Sequence, residues 1–364
     1  MAKKRPPKKT AATKRTPTQR QIDKLDREIL ALVNRRAELA ARKAKRADDG
    51  PASEADAAML NRLLENNAGP LSDDSLRAVF RELISGSREI ARSSSVAFLG
   101  PEYTYSHLAA IERFGQAARL VPVGSIAAVF EEVQGGQTEF GLVPIENSTD
   151  GRVADTLHCL AHSNAKICGE VPLRIRLCLL GIGSRDEIQC VVSKSQPLSQ
   201  CRNWLSKHMP HAELRHVAST AEAARIAAGD RKCAAIASRQ AGVNHSLSVL
   251  ARHVEDNPDN VTRFAVIGTQ SGPKTGQDKT SIVFEIKHQP GALADAMGIF
   301  KRQRLNLTWI ESFPVPGQRG RYLFFVEFQG HASELRARRA LESLEKKALW
   351  LRVLGSYAQA DPIG

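Results

Sequence analysis

The residues able to do chemistry gather in four short segments of hydroxyl, amide and charged side chains. These are Phe98-Leu-Gly-Pro-Glu-Tyr-Thr-Tyr-Ser106, Val143-Pro-Ile-Glu-Asn-Ser148, Ser193-Lys-Ser-Gln-Pro-Leu-Ser-Gln-Cys201 and Asn260-Val-Thr-Arg-Phe264. Such groups hold anions and stabilise developing charge more readily than they act as nucleophiles. Thr104 and Ser106 stand at the mouth of a predicted helix, where backbone N–H groups favour an anion. Arg263 admits two readings, a partner for a ligand carboxylate or a structural ion-pair residue beside a strand-edge threonine. Glu146 is open in the same way, as a general base or as a buried, hydrogen-bonded loop glutamate. The six cysteines (Cys159, Cys168, Cys178, Cys190, Cys201, Cys233) form no C-x-x-C pair and have no histidines at metal-binding spacing. That usage predicts reduced thiols in a cytoplasm, with neither zinc nor disulfides.

Three kinds of element must position these segments. Ile22, Leu25, Ile29 and Leu32 recur at three-and-four spacing, which predicts an amphipathic helix from Ile22 to about Lys45. Further helices are predicted over Glu54–Asn66 and Asp73–Arg92, the second opened by Ser72. A three-helix unit of this size needs a partner chain to complete its core. At Ser93 the pattern changes to alternating strand and helix signals. Strands are expected near 96–99, 119–123, 139–145, 174–182, 187–192, 213–217, 232–237 and 261–268. Helices are expected near 104–114, 125–135, 197–207 and 219–229, with Ser125 and Ser219 as caps and Gly135 and Gly229 as stops. This is α/β architecture. Beyond a polar linker, Thr269 to Lys279, the order strand (280–287), helix (292–302), two strands (306–313, 321–328), helix (333–348) and strand (350–356) defines a ferredoxin-like βαββαβ unit.

At 364 residues, 42% hydrophobic and 25% charged, the chain suits two or three globular domains. The expected divisions are a basic tail over 1–18, a helical domain over 19–92, an α/β domain over 95–270 and an α+β domain over 280–358. The longest apolar run, Val171 to Ile182, is broken by Arg174 and Arg176, which argues against a membrane span. Residues 1–20 hold eight Lys or Arg and no acid, out of a formal net charge of +13. A tail so basic attracts polyanions only weakly and nonspecifically, so no specific nucleic-acid partner is expected.

The four segments resemble, in order, the signature segments of prephenate dehydratases. The resemblance implies two lobes built like a periplasmic binding protein, with prephenate held between them and neither metal nor organic cofactor. By match to the family pattern, Thr262 donates to the departing hydroxyl, and Asn147, Ser193 and Gln200 line the same cleft as catalytic residues. Thr104, Ser106, Glu146, Ser148, Arg263 and Phe264 are expected around the substrate. Tyr103 and Tyr105 stand where the family has Gly and Phe. The implied reaction yields phenylpyruvate, water and carbon dioxide; arogenate as substrate and a non-catalytic anion sensor are the alternatives.

The segment Gln21 to Ala40 resembles the opening helix of all-helical chorismate mutases. Arg36, Glu54 and Ser87 match positions of that site, and Lys43 is a candidate for a relocated lysine. Gln19, Ala47, Ala57, Ala58 and Ala91 stand where other polar site residues are expected. The expectation is a mutase fold kept for dimerisation, with mutase activity weak or absent. In the last unit, Pro290-Gly-Ala-Leu293 and Trp309-Ile-Glu-Ser-Phe-Pro314 resemble the two phenylalanine-binding loops of ACT regulatory domains, implying Gly291, Ala292, Leu293, Glu311 and Ser312 as ligand contacts and Phe313 in place of the usual Arg. Feedback inhibition by L-phenylalanine and a homodimer or homotetramer follow from this resemblance.

Overall fold

The computed structural model describes residues 16–44, 54–91, 94–315 and 321–363. Helices α1 (Pro17–Ala44), α2 (Glu54–Glu65) and α3 (Asp73–Ala91) form the N-terminal unit. Helix starts at Pro17, so the end of the expected tail is helical; its first fifteen residues lie outside the described ones. The stripe Ile22, Leu25, Ile29 and Leu32 is 44–65% exposed in a single copy. Arg36, two turns beyond Ile29, continues the stripe to the part of α1 that lies against α3. It turns toward α3, donating to Ser87 Oγ at 3.1 Å and to the Leu83 carbonyl at 3.4 Å. The unit is fastened to the rest of the chain through α3: Ser85 donates to the Phe114 carbonyl at 2.7 Å, and Arg81 pairs with Glu112 at 2.6 Å.

The middle of the chain folds as two α/β lobes. The first is built from β1 (Ser95–Leu99), α4 (Tyr105–Phe114), β2 (Arg119–Val123), α5 (Ile126–Gln134), β3 (Phe140–Asn147), β4 (Gly151–Arg152), α6 (Ala154–His162) and β5 (Lys166–Arg174). The second holds β6 (Cys178–Gly181), β7 (Cys190–Ser193), α7 (Ser195–Gln200), α8 (Arg202–His208), β8 (Glu213–His216), α9 (Thr220–Gly229), β9 (Cys233–Ala237), α10 (Arg239–Asn244) and β10 (Ser248–Arg252). The chain then returns to the first lobe as β11 (Val261–Gly268). The sheet orders are β2-β1-β3-β11-β5 and β10-β6-β9-β7-β8. The strand expected over 174–182 is β6 alone; β5, which was not expected, ends at Arg174 in the other lobe, and the first crossover parts the two.

Both crossovers are tied together by buried polar contacts. Glu255 accepts from the Leu177 N–H at 2.8 Å and pairs with Arg176 at 3.3 Å, while Arg176 also donates to the Pro258 carbonyl at 2.8 Å. Tyr105 reaches from α4 to donate to the Arg176 carbonyl at 2.7 Å. Burial raises the Tyr105 phenol well above its ordinary pKa, so this donor stays protonated.

The C-terminal unit comprises β12 (Asp278–Glu285), α11 (Ala292–Arg302), β13 (Leu307–Pro314), β14 (Tyr322–Gln329), α12 (Leu335–Glu345) and β15 (Trp350–Ala358). Its antiparallel sheet runs β13-β14-β12-β15, the ferredoxin-like order. One face of that sheet packs on α11 and α12. The other shares a core with the first lobe, where Val283, Phe325, Leu354 and Tyr357 meet Phe130, Leu157, Ile167 and Ile267. Among the described residues, no helix is long and apolar enough to cross a membrane.

At this junction Gly355 is set against the β5 backbone, and a Cβ there would lie 2.0 Å from the Ile167 carbonyl oxygen. Neither backbone can yield without parting the sheets. Gly355→Ala is expected to cost about 3 kcal/mol, the upper end for overpacking a core, and to lower the urea midpoint. An unchanged midpoint would mean that the two units are not held at this contact.

Candidate active site

β11 lies between β3 and β5, antiparallel to both, and its alternate residues face opposite sides of the sheet. Thr262 shares a face with Phe264 and Val266, whose side chains pack under α4. Opposite Thr262 on β3 stands Asn147, although Val143 and Ile145 of that strand belong to the other face. A bulge between the Glu146↔Arg263 and Pro144↔Phe264 pairs resolves the mismatch by shifting the strand's parity. The extra residue re-aims Asn147 to the face that carries Thr262.

The hydrogen bonds of this group leave one assignment. Asn147 Oδ1 accepts from the backbone N–H groups of Thr149 (2.9 Å) and Asp150 (3.0 Å). Its Nδ2 must then donate, and it does so to Thr262 Oγ1 at 2.8 Å and Asn260 Oδ1 at 3.0 Å. Thr262 is consequently an acceptor toward Asn147, and its own O–H has no acceptor among the described residues. A neutral hydroxyl donor, half-buried and held at its oxygen, is what this arrangement presents.

The second lobe meets this loop across the cleft. Gln200 and Gln196 of α7 both donate to the Asp150 carboxylate, the former at 3.0 Å. Gln200 is further fixed by its carbonyl, which accepts from the Asp256 N–H at 2.7 Å, and Asp256 in turn caps α8 through Asn203 and Trp204. Near the start of α4, Thr104 caps the helix and donates to the Pro101 carbonyl at 2.9 Å. His107 accepts the Tyr103 N–H at 2.9 Å and stacks on Phe98; burial lowers its pKa, which keeps it neutral. Ser106 is buried beside it.

Other expected site residues are placed elsewhere. The Ser193 hydroxyl is fully buried and donates to the Ile236 carbonyl at 2.6 Å. Ser148 stitches the loop to β11 by accepting the Val261 N–H at 2.9 Å. Phe264 is a core side chain, 2% exposed. Arg263 faces away from Thr262, toward the C-terminal sheet, and of its two readings the ion-pair one describes its position. It pairs with Glu146 (2.8 Å), Glu170 (3.1 Å) and Glu327 (2.6 Å), and Lys279 joins Glu170 at 2.8 Å and Glu327 at 3.4 Å. Glu146 thus belongs to the domain junction. Tyr357 and Thr308 each donate to Glu327 at 2.7 Å. Burial pushes the Glu327 carboxyl up, but Arg263 and Lys279 outweigh it and hold the group below the ordinary carboxylate range.

In the C-terminal unit, Gly291 precedes α11 in a left-handed conformation (φ 83°), leading into Ala292 and a partly exposed Leu293. Adjacent residues on β13 face opposite ways, so Glu311 and Ser312 do not converge. Glu311 pairs with Arg152 of β4 at 2.7 Å, while Ser312 is exposed. In the helical unit Arg36 and Ser87 meet; the side chains of Lys43 and Glu54, and residue Ala47, lie outside the described residues. Burial raises the Cys168 thiol to about 12 and pushes Cys201 up as well, which leaves both unreactive. Among the described residues no group of His, Cys, Asp and Glu could hold a metal ion.

Two family models match: prephenate dehydratase over residues 96–272 and chorismate mutase type II over residues 18–92. The chain is 39% identical over 350 residues to a bifunctional chorismate mutase/prephenate dehydratase of Aquifex aeolicus, covering 94% of this chain and 97% of that one. A protein of the same description from Pseudomonas aeruginosa is 39% identical over 351 residues, covering 93% and 96%. Among solved structures, prephenate dehydratase in complex with L-Phe from Arthrobacter aurescens superposes with a TM-score of 0.69 at 33% identity, covering 73% of this chain and 90% of that one.

The depressed Glu327 carboxyl carries a pH signature. A carboxylate whose folded pKa lies below its unfolded value, about 4.3, adds stability above that value and loses it as pH falls through the folded pKa. The wild type should therefore lose stability steeply below about pH 4.3. Glu327→Gln should be about 3 kcal/mol less stable at neutral pH and show a shallower acid slope. Equal slopes in urea titrations from pH 7 to 3 would remove Glu327 from the linkage.

Proposed function

The chain belongs to the prephenate dehydratase family, in the form preceded by a chorismate mutase segment, and from that membership we propose that Thr262 is the donor to the oxygen that leaves. In prephenate the ring hydroxyl departs with its bonding electron pair while the bond to the ring carboxylate breaks. The electrons of that bond complete the aromatic ring, and the products are phenylpyruvate, carbon dioxide and water. Aromatisation supplies most of the driving force, so the protein must mainly place the substrate and meet negative charge as it develops on one oxygen. A threonine hydroxyl is too weak an acid to act alone, and its role is that of a positioned donor and relay. The observation that carries this reading is the forced orientation of Asn147, which leaves the Thr262 proton unclaimed.

Gln196 and Gln200 are read as donors to a substrate carboxylate, for which Asp150 occupies the same positions. The C-terminal unit is read as an ACT domain that binds L-phenylalanine near Gly291 and β13 and inhibits the dehydratase; the L-Phe complex of the Arthrobacter aurescens relative supports this. This unit and the exposed stripe of α1 both favour pairing, and so a homodimer or homotetramer. The bifunctional names of full-length relatives weigh against an inert helical segment. The segment is therefore read as a mutase centred on Arg36, slowed by the alanines at 47, 57, 58 and 91.

Purified full-length protein should form phenylpyruvate from prephenate and be inhibited by L-phenylalanine. Thr262→Ala should lower kcat by about 100-fold or more with an unchanged unfolding midpoint. Near-normal turnover by that variant would remove Thr262 from the reaction. Chorismate should be consumed more slowly than prephenate, and Arg36→Ala should abolish that loss; chorismate untouched by the wild type would return the segment to a purely structural role.

A further inference from the structure

Asp150, which no expectation named, joins the two lobes across the cleft. It lies on the loop between β3 and β4, and its Oδ2 accepts from Gln196 and, at 3.0 Å, from Gln200, both on α7 of the second lobe. Residues four apart on a helix share one face, so the two amides converge on one point. A carboxylate only accepts, so both amides must present Nε2 there. The loop also reaches the proton donor: the Asp150 N–H bonds to Asn147 Oδ1 at 3.0 Å, and Asn147 Nδ2 donates to Thr262 at 2.8 Å.

The contact is built from exchangeable parts. Among the described residues the Asp150 carboxylate has no cationic partner and is held by neutral amides alone. Its Oδ1 takes no hydrogen bond from those residues, and the residue is exposed. The side chain can therefore turn into water while the bond to Asn147 keeps its backbone in place. A buried ion pair would resist such displacement. Here one carboxylate leaves as another arrives, and the number of charge-assisted hydrogen bonds is conserved. Prephenate carries two carboxylates, and Gln196 and Gln200 are the donors read above as meeting one of them.

We propose that Asp150 sets the affinity for substrate: its carboxylate is a resident competitor that occupies the Gln196 and Gln200 donors until a substrate carboxylate displaces it. This rests on the dehydratase reading and on that of the two glutamines. A competitor built into the chain lowers the apparent affinity by the fraction of time the donors are free. It leaves the chemical step unaltered once substrate is bound, so its effect falls on KM and not on kcat.

The test is Asp150→Ala in the full chain, assayed with prephenate at neutral pH, alone and combined with Gln196→Ala and Gln200→Ala. Alone, it should lower KM about 3- to 10-fold with kcat within about threefold of the wild-type value. In the background lacking both glutamines the same substitution should leave KM unchanged, because the donors it frees are gone. A KM that Asp150→Ala leaves unchanged or raises overturns the proposal, a rise marking a clasp that holds the lobes closed. A fall of equal size in both backgrounds overturns it too, since loss of a negative charge from the cleft would then account for the effect. Wild-type turnover in the same assay reports separately on the dehydratase reading. If removing both glutamines leaves KM at the wild-type value, they do not meet the substrate, and the proposal falls with that reading. Where the chain without the glutamines turns over too slowly to assay, prephenate dissociation constants from calorimetry on Thr262→Ala chains replace KM, with the same outcomes.

Discussion

Adjacent residues of a strand face opposite sides of its sheet, and at Thr262 and Arg263 that constraint divides the molecule's two tasks. Thr262 lies on the face that carries the amide cluster, while Arg263 is driven through the sheet into a cluster with three glutamates and Lys279. The strand cannot supply both groups to one ligand. A hydrogen-bonded donor and a buried ion cluster therefore sit back to back, separated by the thickness of one backbone. Everything that fixes β11, from its two antiparallel neighbours to the C-terminal sheet behind it, also fixes the donor.

Much of this was legible in the sequence because it rested on local rules. Ser125 and Ser219 cap α5 and α9 by accepting from Ala128 and Glu222, and Thr104 opens α4. The ferredoxin-like unit was readable from its alternation of periods. Elements without such marks were not: α6 begins at Ala154 after Val153, which offers no side-chain cap, and α10 has six residues. The strand expected over 174–182 starts too early and β5 before it was missed, because an apolar run records burial and not the lobe in which it is buried. Arg174 and Arg176 within that run were the available sign of the crossover.

The site was harder to read than the fold. The residue types of the cluster were evident, but their facing was not, because the bulge in β3 moves Asn147 to the face that strict alternation would deny it. Nothing in the spacing of Val143 to Ser148 announces one extra residue. Arg263 posed the converse problem: a guanidinium beside a candidate catalytic hydroxyl invites a role in anion binding, and its three carboxylate partners lie far apart in sequence, at Glu146, Glu170 and Glu327.

The C-terminal unit meets the first lobe, which carries the cleft residues, through two unlike contacts. The apolar contact, in which Tyr357 and Phe325 meet Ile167 and Ile267, is nondirectional and tolerates small sliding. The ion cluster does not, because Glu170, Glu327 and Lys279 in it are buried and losing one buried partner costs about 3–5 kcal/mol. That exceeds the roughly 1–3 kcal/mol by which an effector usually shifts a second site. An effect of that size is too weak to pull Arg263 out of its cluster, so the cluster could move only as a body. Because Arg263 is covalently next to Thr262, any such movement reaches the donor through one peptide unit, without an intervening chain of contacts.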